Sequence, residues 1–329
     1  MSKKIYDLLI VGGGPVGMYA SFYAAMQGLE VRLVETLEHL GGQLTAIYPE
    51  KDIYDLPGHP KIRASEIIDQ LRIQMDRHSD KIDVSTGTMA IDVEKQPDTT
   101  FHVKTTRDEC VAKTILITAG NGAFSPRKLE VTSKEITNLH YFITEMEQFK
   151  DKNVVIFGGG DSAVDWALML DGVAKRVSLV HRRNDFRAHA SSIEKLGVSS
   201  VEVFTPYKPL ELIGAGNVAS QVALEHLETG EKVMLDVDDV IVLFGFVSNL
   251  GPIKDWGLEL KKAAVAVDMQ DQTSISGIFA AGDASTFNGK VKMITSGFGE
   301  AVVAINAART YAFPDQKVRH QHSSNAMEK

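Results

Sequence analysis

Tyr6–Glu35 reads YDLLIVGGGPVGMYASFYAAMQGLEVRLVE, and the fold turns on this stretch. Tyr6–Val11 is a short apolar run, and the spacing Gly12-x-Gly14-x-x-Gly17 follows it at once. Met18–Gln27 is rich in Ala and free of Gly and Pro, as a helix requires. A second apolar run, Val31–Val34, ends on Glu35. The pattern is strand, glycine turn, helix and strand, closed by an acid.

Each glycine has a physical task in that pattern. One makes the tight turn, one lets a pyrophosphate approach the backbone, and one lets the helix pack closely on the strand. Amides at the helix start, at the positive end of its dipole, then hold the phosphates. Glu35 lies 23 residues after Gly12 (35 − 12), near the spacing of a carboxylate that binds adenosine ribose hydroxyls. The pattern predicts a dinucleotide site and leaves open whether the ligand is FAD or a nicotinamide.

A chain of 329 residues exceeds the size at which one core stops growing, so two domains are expected. A formal net charge of −8 argues against a general nucleic-acid binder and leaves room for local basic patches. No apolar run is long enough to span a bilayer, so no membrane is expected. The apolar stretch near the N-terminus contains Asp7 and breaks at the glycines, which makes it a strand rather than a signal peptide. One cysteine excludes an intrachain disulfide framework and fits a reducing cytoplasm. That residue, Cys110, has no second cysteine or evident base nearby in sequence and reads as a structural thiol.

Gly41–Ala64 is rich in Gly and Pro and reads as a long functional loop, in which Gln43 and Tyr48 offer an amide and an aromatic face to a planar heterocycle or pack on the domain. Ser65–Arg77 predicts an amphipathic helix with Ser65 as N-cap. Ile82–Val93 and Thr99–Thr105 predict antiparallel strands, and Thr114–Thr118 a buried one, with Cys110 just before it.

The opening pattern then returns. Val154–Phe157 is a strand, Gly158-x-Gly160-x-x-Ala163 a second glycine turn, Val164–Leu170 the start of a helix and Val177–Val180 the next strand. That strand ends on His181-Arg182-Arg183, again 23 residues after the first glycine (181 − 158), so a basic cluster stands where Glu35 stood. A carboxylate there would repel a 2′-phosphate, whereas guanidinium groups bind it through charge-assisted hydrogen bonds. Arg182, Arg183 and Arg187 therefore point to NADP rather than NAD. Strands are expected at Val201–Thr205, Ser220–Leu227, Val233–Leu235, Asp239–Phe244 and Gly277–Ala281, and a helix at Gly297–Phe313 that Pro314 stops. Asp283 caps the element after it or binds a ligand hydroxyl.

Taken together, the first fingerprint with Glu35, GGQL at 41–44, TAG at 118–120, GGGDSAVDWAL at 158–168, HRRNDFRA at 181–188 and AAGD at 280–283 resemble the thioredoxin-reductase-like flavoproteins along essentially the whole chain. The segment before the second fingerprint lacks the redox CxxC of thioredoxin reductases. GGQLTAIYPEKDIYDLPG, GFVSNLGPIK and the terminal HSS are similar to the thioredoxin-reductase-like ferredoxin/flavodoxin–NADP reductases, which also lack it.

The resemblance implies an α/β fold of two Rossmann-like nucleotide-binding domains, the second inserted into the first: FAD on 1–120 and 248–329, NADP on 121–247. It implies FAD contacts from Gly12, Gly14, Gly17, Glu35, Gln43, Tyr48, Ala90, Phe124, Asp283 and Ser323. NADP(H) falls to Gly158, Gly160, Asp161, Ser162, Ala163, His181, Arg182, Arg183 and Arg187. Tyr48 and His322 are expected on opposite flavin faces, the histidine from the partner subunit's tail, with His320 as the alternative register. A homodimer, ferredoxin or flavodoxin as partner, and no metal complete the expectation. The helix after Gly297 is expected to point its positive end at the flavin. Lys51, Lys61, Arg63, Lys290 and Lys292 are candidates for docking an acidic carrier. A disulfide reductase using an external thiol, and a non-catalytic flavin and NADP sensor, are the competing readings.

Overall fold

The computed structural model describes residues 4–120, 122, 125–131, 136–143, 145–247 and 250–316. The chain divides into two compact units, residues 1–123 with 248–329 and residues 124–247, each with its own hydrophobic clusters. Both are mixed α/β and Rossmann-like.

In the first unit a seven-stranded sheet has the path Ile82–Ser85, Val31–Val34, Ile5–Val11, Glu109–Ile117, Phe101–Thr105, Ala90–Lys95, and Ile278–Ala280 also pairs with Glu109–Ile117. Ile5–Val11 runs parallel to both of its neighbours, and its residues from Tyr6 onward are buried, as a strand covered on both faces must be. Helices Pro15–Met26, Ala64–Asp76 and Ile294–Ala312 contribute Met18, Ile68 and Ile305 to one core cluster, while Leu9, Phe101 and Ile115 belong to another.

The second unit repeats the plan. Its five-stranded parallel sheet has the order Leu139–His140, Asp239–Leu243, Asn153–Gly158, Arg176–Val180, Glu202–Phe204. Beside it stands a three-stranded antiparallel sheet, Tyr207–Ala215, Val218–His226 and Lys232–Asp236. In each unit the strand before the glycine turn lies between the strand that follows the first helix and a later strand that returns to it.

Several local expectations are corrected. The first helix begins at Pro15, because proline's fixed φ suits the first helical position, so Gly17 lies inside the helix. Ile82–Val93 is two strands: Ile82–Ser85 joins the parallel edge, the chain turns at Gly87 with φ +57°, and Ala90–Lys95 joins the antiparallel meander. Ser65 is not the cap of its helix, which starts at Ala64; the backbone amide of Arg63 instead reaches Glu66 Oε2 at 3.5 Å. Cys110 lies within the strand Glu109–Ile117, not before it. The loop Gly41–Ala64 contains a helical turn, Gln43–Ala46, and a ribbon of Asp52–Ile53 with Ile62–Arg63. The last helix begins at Ile294, one turn before Gly297. Tyr207–Ala215 and the helix Ala190–Gly197 fall outside the expected elements, the strand because its alternation is weak and the helix because it is only eight residues long.

Candidate functional site

Strand-end geometry builds the first glycine turn. A Cβ on Gly12 would lie 2.6 Å from the carbonyl oxygen of Thr118, on the neighbouring strand end. One on Gly17 would lie 1.9 Å from the carbonyl oxygen of Gly12, so the helix touches the turn and only glycine fits. One on Gly14 would meet no heavy atom within 4 Å, so a ligand can approach the backbone closely there. Thr118 closes the frame by donating its Oγ1 hydrogen to the Gly12 carbonyl at 2.7 Å.

Glu35 is buried and folds back onto the turn. Its Oε2 accepts from the Gly13 amide at 2.6 Å and its Oε1 from the Leu37 amide at 2.8 Å. Each carboxylate oxygen retains a second lone pair, which suits two ribose hydroxyls. The segment Gly87–Ala90 lies alongside, because the Thr88 amide donates to the Glu35 carbonyl at 2.8 Å and the Gly87 amide to the Leu37 carbonyl at 2.8 Å. Ala90 itself is buried in the core with Val11 and Val34, so its backbone rather than its methyl borders this place.

Three more expected residues collect at the carboxyl ends of the parallel strands. Gln43 opens the helical turn after Gly42, and its Nε2 would lie 3.8 Å from a Cβ on Gly120. Tyr48 is half-buried, and its hydroxyl is pushed above the usual tyrosine range by burial first and then by the charge of Asp283, which places the two side chains within electrostatic reach. Asp283 sits in the turn Gly282–Ala284 directly after Ile278–Ala280. The first unit thus brings Gly12, Gly14, Gly17, Glu35, Gln43, Tyr48 and Asp283 to one sheet edge, the place where open α/β sheets bind ligands.

The second turn reproduces the frame. A Cβ on Gly158 would lie 2.6 Å from the Leu243 carbonyl oxygen, and one on Gly160 would meet only the Arg187 carbonyl, at 3.9 Å. Ala163, the third small residue, is fully buried, while Asp161 and Ser162 are exposed at the helix start. Asp161 Oδ1 accepts from the His189 amide at 2.9 Å, and the Arg187 amide donates to the Gly159 carbonyl at 2.7 Å, so the loop carrying the arginines is fastened to the turn. Arg182, Arg183 and Arg187 are all exposed. The His181 ring stacks on Phe186 at 5.4 Å, and its Nε2 is buried without a hydrogen-bond partner among the described residues. Burial holds this imidazole below its ordinary value; the charges of Arg182, Arg183 and Arg187 act in the same direction, against a backbone hydrogen bond at Asp185. The chemistry offered is a positive rim on a phosphate-binding turn.

The middle glycines were missed. A Cβ on Gly13 would lie 3.0 Å from Glu35 Cβ, and one on Gly159 would lie 2.3 Å from the His181 ring. The triple glycine common to both copies was the available signal. Phe124, His320, His322 and Ser323 lie outside the described residues.

Of the docking candidates, Lys290 is withdrawn. Its side chain is 6% exposed and forms an ion pair with Glu300, so it has no free charge to offer a partner. Lys61 pairs with Asp52 at 2.7 Å, Lys51 lies over the Tyr48 ring at 5.8 Å, and Lys292 Nζ donates to the Asp283 carbonyl at 3.3 Å. Arg63 is exposed. No helix among the described residues is long and apolar enough to cross a membrane.

Residues 6–308 match the family model described as pyridine nucleotide-disulphide oxidoreductase. The chain is 49% identical over 326 residues to a ferredoxin–NADP reductase of Geobacillus thermodenitrificans, covering 98% of each. It is 51% identical over 329 residues to ferredoxin–NADP reductase 2 of Bacillus pumilus, covering 99% of this chain and 98% of that one. A solved thioredoxin reductase of Lactococcus lactis superposes with a TM-score of 0.78 at 24% identity, over 94% of this chain and 99% of that one, and supports the fold. With a family model spanning nearly its whole length and relatives at half identity, the chain belongs to the pyridine nucleotide-disulphide oxidoreductase family.

Proposed function

We propose that the protein is a ferredoxin/flavodoxin–NADP reductase, with FAD on residues 1–120 and 248–329 and NADP(H) on 121–247. The carrying observation is the exchange at one position of a repeated frame. Where the first turn is closed by Glu35 on the Gly13 amide, the second is closed by His181 with exposed Arg182, Arg183 and Arg187 around it. A ribose suits the first and a 2′-phosphate the second.

FAD supplies the conversion between a two-electron hydride donor and one-electron carriers. The chain's own residues bind and orient. The Gly14 turn and the start of its helix hold the pyrophosphate, Glu35 the adenosine ribose, and Gln43, Ala90, Phe124, Asp283 and Ser323 further parts of the cofactor. Tyr48 stacks on one flavin face and His322 of the partner subunit on the other, which makes the working form a homodimer. Gly158, Gly160, Asp161, Ser162 and Ala163 hold the nicotinamide dinucleotide's phosphates. The lone Cys110 is buried, and burial pushes its thiol above the ordinary value, so the chain itself offers no dithiol chemistry. The setting is the cytoplasm.

The test is an anaerobic assay of the purified protein with NADPH or NADH and, in turn, ferredoxin, flavodoxin and thioredoxin. Expected is bleaching of the yellow colour by NADPH in preference to NADH, and cytochrome reduction that depends on ferredoxin or flavodoxin. Thioredoxin reduction would support a disulfide reductase instead, and bleaching without turnover of any acceptor a sensor.

A further inference from the structure

Ionisable side chains that the reading above leaves unused gather beneath the turn Gly282–Ala284. Lys290 and Glu300, with side chains 6% and 10% exposed, form a buried ion pair. Glu300 stands on the last helix, and its Oε2 accepts from the Gly282 amide at 2.7 Å. Lys290 Nζ donates to the Gly282 carbonyl at 2.8 Å and to Ser285 Oγ at 3.0 Å. One glycine therefore has its N–H held by a carboxylate and its C=O held by an ammonium.

Stability alone does not explain this pair. Removing two charges from water costs as much as their attraction returns, and apolar side chains of similar size would stabilise the fold equally well. Charge-assisted hydrogen bonds do fix geometry, and the geometry here is specific. Asp283 follows Gly282 directly, and its charge reaches Tyr48. The same helix turn touches the first glycine frame: a Cβ on Gly297 would lie 2.5 Å from Val16 and 3.3 Å from the Gly282 Cα.

We propose that Lys290 and Glu300 are positioning residues, a buried clamp on the Gly282 peptide that sets Asp283 and its turn against the glycine frame for flavin binding. The inference rests on the FAD reading. Asp271 is tied to the strand that leads into this turn. It is 4% exposed, and its carbonyl accepts from the Ala280 amide at 3.0 Å. Burial pushes its carboxyl up to about 7; the charges of Glu300 and Asp268 act in the same direction and Lys290 against them.

The experiment removes FAD from the full-length protein and measures its dissociation constant on titration back, with amide exchange at Gly282 followed in parallel. Lys290→Met is expected to weaken FAD by at least about tenfold, and the double variant Lys290→Met/Glu300→Gln to regain wild-type amide protection at Ala280 while FAD stays about tenfold weak. A double variant with wild-type amide protection at Ala280 and wild-type FAD affinity overturns the proposal. If the double variant does not fold, Lys290→Met decides alone, and an unchanged FAD affinity in it overturns the proposal. Should the wild-type chain bind no FAD, the flavin reading falls. The clamp then stands or falls on whether Lys290→Met speeds Gly282 exchange by about tenfold.

Discussion

The same turn occurs twice in this chain, and the copies agree in their frame of glycines while differing in the side chains set around it. In both, the first glycine abuts a carbonyl at the end of the neighbouring strand, Thr118 in one and Leu243 in the other. In both, the middle glycine makes room for the residue that ends the second strand. The copies part at the third small residue, Gly17 against Ala163, and at the strand end, Glu35 against His181. The first difference is steric: a Cβ on Gly17 meets the Gly12 carbonyl at 1.9 Å, whereas Ala163 carries a methyl in a fully buried place. The second is electrostatic, a carboxylate bound by amides against an imidazole ringed by guanidinium groups. Ligand choice is thus separable from the frame that holds any dinucleotide.

Gly17→Ala is the strongest way to break the comparison. The methyl cannot be placed without moving helix from strand, and the expected cost is about 3 kcal/mol with loss of bound flavin, read by urea unfolding and by flavin absorbance. Ala163→Gly, the reverse exchange, should cost only about 1 kcal/mol. Equal effects of the two would show that the two turns pack their helices alike.

The units also differ in the sign of their response to pH. In the first, the folded carboxyl of Asp271 lies above its ordinary 3.8, at about 7. Its contribution is therefore fully present below about 3.8 and is lost as pH rises through about 7. Asp271→Asn should gain stability on the order of 2 kcal/mol above that pH. Its backbone, at φ +57°, is one that asparagine accepts. Amide exchange at Ala280 is the suitable probe, because a two-unit chain has no single unfolding midpoint. An unchanged exchange rate at alkaline pH would remove Asp271 from the account.

Much of the frame was legible because it depends on local rules. Apolar runs, glycine spacing and the 23-residue interval (35 − 12 and 181 − 158) are written in order along the chain. What escaped depends on contacts remote in sequence. The role of Gly13 needs the Glu35 side chain folded back on it, and Lys290 reads as a surface lysine until the helix bearing Glu300 closes over it. Tyr207–Ala215 was missed because an antiparallel strand with one exposed face and Pro209 in it has weak alternation. The break in Ile82–Val93 follows from Gly87, whose φ of +57° turns the chain between the two strands.

Arg182→Ala and Arg183→Ala sharpen the electrostatic difference. Each should weaken NADPH by about tenfold, the worth of one charge-assisted hydrogen bond, while NADH is scarcely affected and FAD retention not at all. Loss of both nicotinamides in parallel would instead mean that these guanidinium groups serve the shared phosphates.

His181→Gln is expected to do least to binding and to report on the frame itself. Its folded imidazole lies below the ordinary 6.5, so the stability it contributes is present above 6.5 and lost as pH falls through the depressed value. The loss should stay under about 1 kcal/mol, since the half-buried ring is screened by solvent. Asp239, which burial would raise, is held below its ordinary 3.8 by hydrogen bonds and charge from His140 and Lys152. Glutamine retains a polar group near Gly159 but cannot titrate. The second unit should therefore keep its NADPH affinity at about pH 8 and lose its acid-side slope, as read by amide exchange at Phe157 between about pH 7 and pH 5. A slope that persists in the variant would place the acid sensitivity outside the glycine frame, and the opposition in sign between the two units would then no longer follow from Asp271 and His181.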